Sequence, residues 1–531
     1  MKKPDFDVII IGSGPAGVTA AFPFLKAGLR VLMIDGGYQA TVTPPSKAFL
    51  SARSQDADQW RWMIGEDFYA LKNLGGVSPK LRAPTHDFAF KNFANESQIS
   101  SHDFVAIGSL ATGGLSNAWG CGVARLSESE LSDFPCSTSD LFRSYATVSD
   151  RIGISGSQHD DLSDYFGLDA WSQPPIQMDT LHEFLYTQYV NRRTKVTQNG
   201  FRLGRSRVAV LSGDRPGRSA CDLSGNCLWG CHRKSLYSAT DELTSLRLHS
   251  NFYEAHGFIV DELIRNGEIL SVGARRNGTR ERQAFSARKV ILAAGTLATT
   301  RLALHALRYE QAVPLLSCPT GAFLLWLPRF LGLPRKPAFA LGQLSFTLPL
   351  CQEISAFGST FNVTGIPLSE FARHLPLRRR NTIDLLKGLL SSCLVGNVFL
   401  PGNLSTSTAS LRADGSLFIS GGYSDDIPAL MTKIAKHLRI SYGQLGAKIL
   451  PGSFRMGLPG SDIHYAGTLP MKMNPSLGQT TPLGELHGCR GVHVVDGACL
   501  PTLTEKSHTL TLMANADRIG RAVASQMSNS Q

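Results

Sequence analysis

The feature that most constrains this fold is a glycine-rich turn near the N-terminus, set between an apolar strand and a helix. The run Val8-Ile-Ile-Ile11 leads into Gly12-Ser13-Gly14-Pro15-Ala16-Gly17, and Val18 continues into an apolar helix. In a G-x-G-x-x-G turn, the first glycine permits the tight bend, the second lets the backbone approach a pyrophosphate, and the third lets helix and strand pack closely. The helix N-terminus offers free N–H groups to phosphates. The pattern predicts a dinucleotide-binding βαβ unit.

A carboxylate follows at the position where such units hold a ribose. The second strand, Arg30-Val-Leu-Met-Ile34, ends at Asp35, and Gly36 comes next. An acidic residue there accepts hydrogen bonds from ribose hydroxyls and disfavours a 2′-phosphate. NAD and FAD are both bound by this kind of unit, so the unit alone leaves the choice between them open.

Three later segments bear on that choice. A second glycine-rich loop spans 111–120, residues 289–296 predict a strand running into a turn and a helix, and residues 491–501 predict a strand that closes on Asp496-Gly497. A long C-terminal helix follows, with apolar residues at helical spacing. A cofactor contacted from four places along the chain favours the large, extended FAD over NAD.

Length and composition set the broad class. The chain has 531 residues, 43% of them hydrophobic and 18% charged, which excludes intrinsic disorder and predicts more than one domain. No run of about 18 apolar residues predicts a membrane-spanning helix. Ten cysteines in so long a chain do not form a disulfide framework, and the apolar run after the first residues is too short for a secretory signal. We therefore expect a cytoplasmic protein.

The formal charge of +11 is concentrated in two basic clusters. The second consists of Arg373, His374 and Arg378-Arg-Arg380. The first is Arg192, Arg193, Lys195, Arg202, Arg205, Arg207, Arg215 and Arg218. Either could face nucleic acid, an anionic membrane or an acidic substrate. Because neither is interleaved with aromatic residues, we interpret both as solvated surface and predict no nucleic-acid partner.

The apolar segment 322–333 has two interpretations. Its proximity to Arg335 and Lys336 suits peripheral contact with a membrane. Its prolines argue against one regular helix, and we favour a buried part of a substrate domain.

A cysteine-rich stretch raises the question of a metal. Cys221, Cys227, Cys231 and His232 lie within a dozen residues. Zinc sites prefer pairs of cysteines two to four residues apart, and iron–sulfur clusters are spaced more tightly still. We favour a packed loop over a metal site and predict no metal.

In this order along the chain, the segments resemble the glucose–methanol–choline (GMC) oxidoreductase family. The resemblance rests on Gly12–Gly17, on the loop from Gly113 to Gly120, on the turn Ala293–Thr296, on Asp496-Gly497 and on the terminal helix. It implies FAD as cofactor. Some relatives link the flavin covalently to a histidine in the second loop, where this chain has Ala118, so non-covalent FAD is implied.

The resemblance also implies two catalytic side chains over the flavin, usually two histidines or a histidine and an asparagine. The first lies in a His-x-x-Gly-Thr segment, represented here by His464-Tyr-Ala-Gly-Thr468. An upstream copy, Gly452–Gly457, resembles the neighbouring Gly-Thr-x-Arg-Met-Gly form, but its histidine position is Ile449, which cannot move a proton. The second catalytic position is His508, at the start of the terminal helix, for which Ser507 is a plausible N-cap.

The chemistry of alcohol oxidation agrees with these assignments. The hydroxyl proton needs an acceptor, and histidine titrates near neutrality. A second histidine can hold the same hydroxyl and fix its orientation. Most of the 14 histidines must be surface or packing residues, so the motifs single out His464 and His508, either of which can be the base. The predicted cofactor contacts are Gly12, Ser13, Gly14, Pro15, Ala16, Gly17, Asp35, Gly36, Gly113, Gly114, Ser116, Asn117, Trp119, Ala294, Gly295, Asp496, Gly497, Thr509 and Leu510.

The expected fold is α/β: a Rossmann-type FAD-binding domain interleaved with an α+β substrate domain, whose antiparallel sheet is backed by helices. We assign 1–50, 100–135, 220–315 and 485–531 to the FAD domain, and 51–99, 136–219 and 316–484 to the substrate domain and its excursions. Within the latter, 338–350 and 416–420 predict strands, and 428–445 predicts a helix.

The predicted function is FAD-dependent oxidation of a CH–OH group in a sugar, polyol or other alcohol, by proton abstraction and hydride transfer to flavin N5. The electron acceptor, oxygen or another molecule, and the oligomeric state stay open. Two alternatives remain: a non-redox lyase that cleaves cyanohydrins on the same FAD scaffold, and a membrane-associated flavoprotein without catalysis.

Overall fold

The computed structural model describes residues 4–48, 51–52, 55–71, 78–156, 159–279, 281–334, 336–351, 354–363, 366, 371 and 378–529. The helices there are α1 (Pro15–Lys26), α2 (Gln59–Met63), α3 (Asp87–Phe90), α4 (Phe93–Glu96), α5 (Thr138–Ile152), α6 (Ser163–Phe166), α7 (Thr180–Thr197), α8 (Ala239–Leu246), α9 (Thr296–Leu307), α10 (Arg379–Leu389), α11 (Ile427–Gln444) and α12 (Thr509–Asn529). The strands are β1 (Phe6–Ile11), β2 (Val31–Asp35), β3 (Ile99–His102), β4 (Ile154–Ser155), β5 (Ser172–Gln173), β6 (Arg202–Arg205), β7 (Phe252–His256), β8 (Phe258–Asn266), β9 (Ile269–Arg276), β10 (Arg282–Leu292), β11 (Val313–Pro314), β12 (Leu316–Ser317), β13 (Thr320–Trp326), β14 (Gly342–Pro349), β15 (Ser355–Asn362), β16 (Cys393–Phe399), β17 (Thr408–Leu411), β18 (Leu417–Ser420), β19 (Lys448–Ile449), β20 (Arg455–Met456), β21 (Tyr465–Ala466) and β22 (Val492–Val494).

The first large sheet is built around β1. Its strand order is β7-β2-β1-β10-β9-β8, with β22 beside β10. The strands β7, β2, β1, β10 and β22 run parallel, whereas β10, β9 and β8 pair antiparallel. Parallel strands covered on both faces read as continuous apolar runs, which explains the wholly buried run from Val8 to Ile10.

Helices α1 and α12 pack against each other beside this sheet. A Cβ added at Gly520 of α12 would lie only 3.1 Å from the carbonyl oxygen of Ala20 in α1, so a side chain there would press on the α1 backbone. The close approach brings the C-terminal helix beside the N-terminal glycine turn.

The second large sheet is antiparallel, with strand order β19-β13-β16-β15-β14-β6 and β20 beside β13. Helix α11 covers one face of it. The residues Ile427, Met431, Ile434 and Leu438 recur at the spacing of one helical face and are buried in a core shared with β13, β14 and β16. The opposite face of the sheet is free to line a cavity.

The predicted elements of this region are present with small shifts of boundary. The strand expected over 338–350 is β14, the one over 416–420 is β18, and the helix over 428–445 is α11. Segment 322–333 forms most of β13 and a short 3-10 helix over Pro328–Phe330. Most of the segment therefore belongs to the second sheet, which agrees with the interpretation preferred from the sequence. Leu331 and Leu333 are nevertheless exposed.

The interpretation of the first basic cluster as solvated surface is wrong for two of its members. The guanidinium of Arg207 is fully buried and pairs with Asp160 at 2.9 Å and with Asp169 at 2.6 Å. Arg218 is also buried, and its Nε donates to the carbonyl of Lys234 at 3.0 Å. These cations are internal crosslinks because nearby carboxylates and carbonyls replace their hydration. In the second cluster, Arg373 and His374 lie outside the described residues.

No helix in the described part of the chain is both long and apolar enough to cross a membrane.

The strands of the first large sheet come from ranges assigned to the FAD domain, and those of the second come from ranges assigned to the substrate domain. The mixed α/β class expected from the sequence is confirmed.

Candidate active site

A large cavity of about 1010 Å³ extends from the N-terminal glycine turn, past the start of α12, to the second sheet. Most predicted site residues line it. They are Gly12, Ser13, Gly14, Pro15, Ala16, Asp35, Gly36, Gly114, Ser116, Trp119, Ala294, Gly295, Asp496, Gly497, Thr509 and both histidines, His464 and His508.

The three glycines of the first turn have distinct surroundings. A Cβ at Gly17 would lie 1.9 Å from the carbonyl oxygen of Gly12, so only glycine lets α1 meet the turn. Gly12 has φ +103°, and a Cβ there would lie 2.3 Å from the carbonyl oxygen of Ala293. A Cβ at Gly14 would meet no protein atom within 4 Å, which leaves an open surface over the start of α1. The turn therefore leaves space where a pyrophosphate is expected.

Asp35, at the end of β2, presents an oxygen without a partner. Its Oδ1 lies 3.1 Å from Nδ1 of His256 and 3.4 Å from the hydroxyl of Thr112. Its Oδ2 is buried and has no hydrogen-bond partner among the described residues. A buried acceptor of this kind calls for a donor, and ribose hydroxyls are suitable ones.

The second glycine-rich loop is tied to the first by a hydrogen bond. The backbone N–H of Gly113 donates to the hydroxyl of Ser13 at 3.0 Å. Within the loop, the Asn117 amide donates to the carbonyls of Thr112 at 2.9 Å and Gly114 at 2.8 Å. The Ser116 hydroxyl donates to the carbonyl of Gly113 at 2.6 Å. The side chains of Asn117 and Ser116 thus shape the loop from within.

Four of the predicted cofactor contacts do not line the cavity: Gly17, Gly113, Asn117 and Leu510. Gly17 packs under the turn, Gly113 and Asn117 fix the second loop, and Leu510 is fully buried in the core. Sequence motifs select residues needed for the shape of the site together with those that face it.

The acidic turn after β22, Asp496-Gly497, forms part of the cavity wall. The Asp496 carboxylate accepts from the N–H of Gly295 at 2.9 Å, the hydroxyl of Thr299 at 2.5 Å and the N–H of Ala498 at 3.0 Å. Burial nevertheless raises the pKa of Asp496 to about 6. Asp496 thereby joins the turn after β10 to the turn after β22.

The two predicted catalytic histidines meet inside the cavity, where the start of α12 approaches the second sheet. Their ring centroids lie 5.2 Å apart, with the ring planes at 84°. His464 precedes the short strand β21, and His508 directly precedes α12. The ring of Phe399, from β16, contacts His464 edge to face at 5.4 Å. The upstream candidate Ile449 is instead buried in the core behind the second sheet.

A carboxylate that the sequence motifs did not predict contacts His464. Oδ2 of Asp462 lies 3.1 Å from Nδ1 of His464, and the Asp462 side chain is fully buried. Burial raises the pKa of Asp462, while the hydrogen bond to His464 acts in the opposite direction. The pair is brought together by a turn in which Ile463 has φ +62°, so no strand periodicity in the sequence indicated it.

His508 has a different environment. Burial and the neighbouring His464 lower the pKa of His508 to about 3, so its ring is neutral near pH 7. Its Nδ1 has no hydrogen-bond partner among the described residues. The carbonyl of His508 accepts the first bond of the helix, from Leu512 N at 2.9 Å. The N-cap position is therefore occupied by His508, and the prediction of Ser507 is wrong by one residue, because the helix begins at Thr509.

The cysteine-rich stretch does not gather into a metal-binding group. In the described ranges, the one set of three ligand atoms lying within 4.8 Å of one another is Cys318, Asp462 and His464. Burial raises the pKa of Cys318 well above its usual value, and the thiol donates to the carbonyl of Thr504 at 3.3 Å. His232 pairs with Asp222 at 3.2 Å.

Two family models match parts of the chain. Residues 6–95 match pyridine nucleotide-disulphide oxidoreductases, which covers the first glycine turn and Asp35. Residues 451–516 match GMC oxidoreductases, and this range contains Asp462, both histidines and Asp496.

Curated relatives align over nearly the whole chain. A paromamine 6′-oxidase of Streptomyces fradiae is 24% identical over 98% of this chain and 92% of its own length. A 6‴-hydroxyparomomycin C oxidase of Streptomyces lividus is 23% identical over the same shares.

Solved structures share the fold. Pyridoxine 4-oxidase from Mesorbium loti superposes with a TM-score of 0.59 at 14% identity, covering 98% of this chain and 99% of its own. A formate oxidase of Aspergillus oryzae RIB40, studied for FAD modification, superposes with a TM-score of 0.61 at 14% identity over the full length of both. The fold, the family matches and the named oxidases among the relatives support a flavin-dependent oxidoreductase. The match over residues 451–516 agrees with the resemblance to GMC oxidoreductases found in the sequence.

Proposed function

We propose that this enzyme oxidises the CH–OH group of an alcohol with His464 and His508 as its catalytic pair. The observation that carries the proposal is the 5.2 Å approach of the two rings in the cavity that Gly14 also lines. Two imidazoles at this distance can contact one hydroxyl from two sides. The relatives whose names specify oxidation of paromamine and pyridoxine support an alcohol as substrate.

Within the pair, His464 is the base in this proposal. The buried carboxylate of Asp462 at Nδ1 would stabilise the positive charge that His464 gains when Nε2 accepts the hydroxyl proton. His508, neutral because of its low pKa, would hold the same hydroxyl by a hydrogen bond. The hydroxyl is thereby oriented before the carbon–hydrogen bond breaks.

The residues of the cavity fit FAD. The open surface at Gly14 and the unpartnered Oδ2 of Asp35 suit a pyrophosphate and a ribose. When bound, FAD supplies a hydride acceptor at N5. We propose non-covalent binding, since the second loop presents Ala118, which has no nucleophilic atom, to the cavity. Flavin recovered in the supernatant after acid precipitation would support this, and flavin retained in the pellet would refute it.

We also propose the division into two domains given above, with the cavity at their boundary. The first sheet contributes Gly12, Asp35 and Ala294, and the second sheet contributes the strand residues around Phe399.

The function can be tested by anaerobic titration of the purified flavoprotein with a panel of alcohols, while the flavin absorbance is recorded. Bleaching by one of them is expected, and readmitted air would then separate an oxidase from a dehydrogenase. Intact FAD that no alcohol bleaches would refute oxidation and favour the lyase alternative. A protein that cannot bind FAD would refute the cofactor as well.

A further inference from the structure

We propose that the substrate is an uncharged alcohol with a long or ring-bearing apolar body, held on the cavity face of the second sheet. The inference rests on the proposed function, because it assumes that the hydroxyl is held between His464 and His508. The face that points away from α11 presents three rows of side chains, each two residues further along the strands. Strand pairing fixes which residues share a row.

The inner row begins beside the catalytic pair. It consists of Thr320, Phe399 and Phe357, which are directly paired across β13, β16 and β15. Phe399 contacts the ring of His464, so this row flanks the reacting carbon. Two of its three side chains are aromatic and offer no hydrogen bond.

The middle row is polar, but its groups are almost all satisfied internally. It contains Ala322, Asn397, Ser359 and Ser345. The hydroxyls of Ser345 and Ser359 bond to each other at 2.9 Å, and Oδ1 of Asn397 accepts from the N–H of Ser359 at 2.8 Å. Nδ2 of Asn397 makes no hydrogen bond to a described residue. Its NH₂ group carries two N–H donors, which suit at most two oxygens of the substrate.

The outer row is apolar and is covered by helix α10. It consists of Leu324, Val395 and Phe361. Leu386 and Leu389, in α10, pack with Leu324 and Val395 in one apolar cluster. Leu385, also in α10, lines the cavity and is 47% exposed, which places an apolar edge where the cavity meets solvent. At about 3.3 Å per residue, the outer row lies about 13 Å along the strands from the inner row.

The charges that line the cavity do not suit a cationic substrate. Its acidic lining residues, in the described ranges, are Asp35, Asp462 and Asp496. Asp35 and Asp496 lie at the glycine turns, and Asp462 is held by His464. Near the second sheet, Arg455 is exposed and positive. Oδ1 of Asp462 is buried beside His464 and has no partner in the described ranges, but none of the described carboxylates lines the cavity along the three rows. An ammonium group bound along those rows would therefore lose water without gaining a carboxylate partner, which is unfavourable.

The lining of the cavity does not suit the substrates that the names of the relatives indicate. The two Streptomyces oxidases act on aminoglycosides, which carry several ammonium groups and many hydroxyls. Each buried hydroxyl without a partner weakens binding. The three rows instead favour a substrate with a large apolar surface. Among the sugars, polyols and other alcohols expected from the sequence, they favour an alcohol that is neither a sugar nor a polyol.

The test is anaerobic flavin reduction by a homologous series of unbranched primary alcohols from four to ten carbons, with benzyl alcohol, sorbitol and paromamine alongside. Burial of one CH₂ group strengthens binding about fourfold, so the dissociation constant from the reduction kinetics should fall by about that factor for each added carbon. Sorbitol and paromamine should not reduce the flavin. Affinity that is independent of chain length would overturn the inference, as would faster reduction by paromamine or sorbitol.

A variant in the outer row provides an internal control. With Val395→Asn, we expect the dissociation constant for decanol to rise about tenfold, because the apolar contact about 13 Å from the inner row is lost. The value for butanol should stay within twofold, since butanol is too short to reach that row. Equal losses for both alcohols would show a general structural effect and refute the row assignment.

Across the whole panel, absence of reduction by every compound would refute the proposed function itself. Reduction by polar compounds alone would refute only the substrate class.

Discussion

The rings of His464 and His508 lie edge to face at 5.2 Å, yet only His464 has a carboxylate behind it. The two side chains come from segments 44 positions apart in the sequence and differ in electrostatic surroundings. In the proposed function this asymmetry separates their roles, because a carboxylate partner favours the ring that becomes charged.

Replacing His508 by alanine should keep FAD bound but slow flavin reduction by about 100-fold or more, which is the usual effect of losing a general base or its partner. Rapid-mixing absorbance under anaerobic conditions measures that rate. His487→Ala is a matched control, since His487 is exposed and does not line the cavity. Unchanged reduction kinetics in His508→Ala would remove His508 from the catalytic pair.

Asp462→Asn should slow flavin reduction by about 100-fold while leaving the FAD content unchanged. The amide can donate to Nδ1 of His464, which favours the ring tautomer that already carries a proton on Nε2. Asp462→Glu supplies the second readout, because it keeps a carboxylate beside His464 and should recover part of the rate. An Asp462→Glu variant as slow as Asp462→Asn would indicate a structural role only.

The first glycine turn offers a matched pair of substitutions. Gly17→Ala should destabilise the fold by about 1–3 kcal/mol, because its Cβ would collide with the carbonyl oxygen of Gly12. Gly14→Ala should leave the stability of the FAD-free protein nearly unchanged, since its Cβ meets no protein atom, but should weaken FAD binding about tenfold or more. Thermal unfolding and FAD fluorescence titration measure the two effects. Equal FAD affinity in Gly14→Ala and the parent protein would contradict the assigned position of the pyrophosphate.

Stability should depend on pH through a buried histidine away from the cavity. His493, in β22, is 2% exposed, and burial lowers its pKa to about 4. The unfolded chain binds a proton near pH 6.5, so the stabilising contribution is present above that pH and is lost as the pH falls from about 6.5 to 4. One group changes the unfolding free energy by at most about 1.4 kcal/mol per pH unit. His493→Gln should flatten the decline in melting temperature across this range, and parallel curves for the two proteins would contradict the prediction.

The sequence was informative where a residue type is required by backbone geometry or cofactor chemistry. Gly12, Gly14 and Gly17 could be interpreted individually because each meets a different steric demand, and Asp35 because a strand end fixes its position. His464 and His508 came from motif spacing. Asp462 could not be predicted in this way, because the turn at Ile463 that brings its carboxylate to His464 has no motif in the sequence.

The substrate side of the cavity could not be predicted in the same way. The rows around Phe399, Asn397 and Val395 depend on the register between strands that are far apart in sequence, and no local pattern encodes that register. The burial of Arg207 was also unpredictable, since its partners Asp160 and Asp169 precede it by some forty residues in a segment that appeared to be surface. Long-range pairing, rather than residue type, decided these features.

The hydrogen bond from Gly113 to Ser13 and the pairing of β10 with both β1 and β22 have a consequence for biosynthesis. During translation, the first glycine turn emerges from the ribosome hundreds of residues before Asp496 and α12, which complete the cavity. A nascent chain therefore has to keep its N-terminal unit soluble without the full cofactor site. Flavin can be captured firmly only after Asp496 and α12 have been synthesised, so cellular supply of FAD should influence the closing of the cavity rather than the early course of folding.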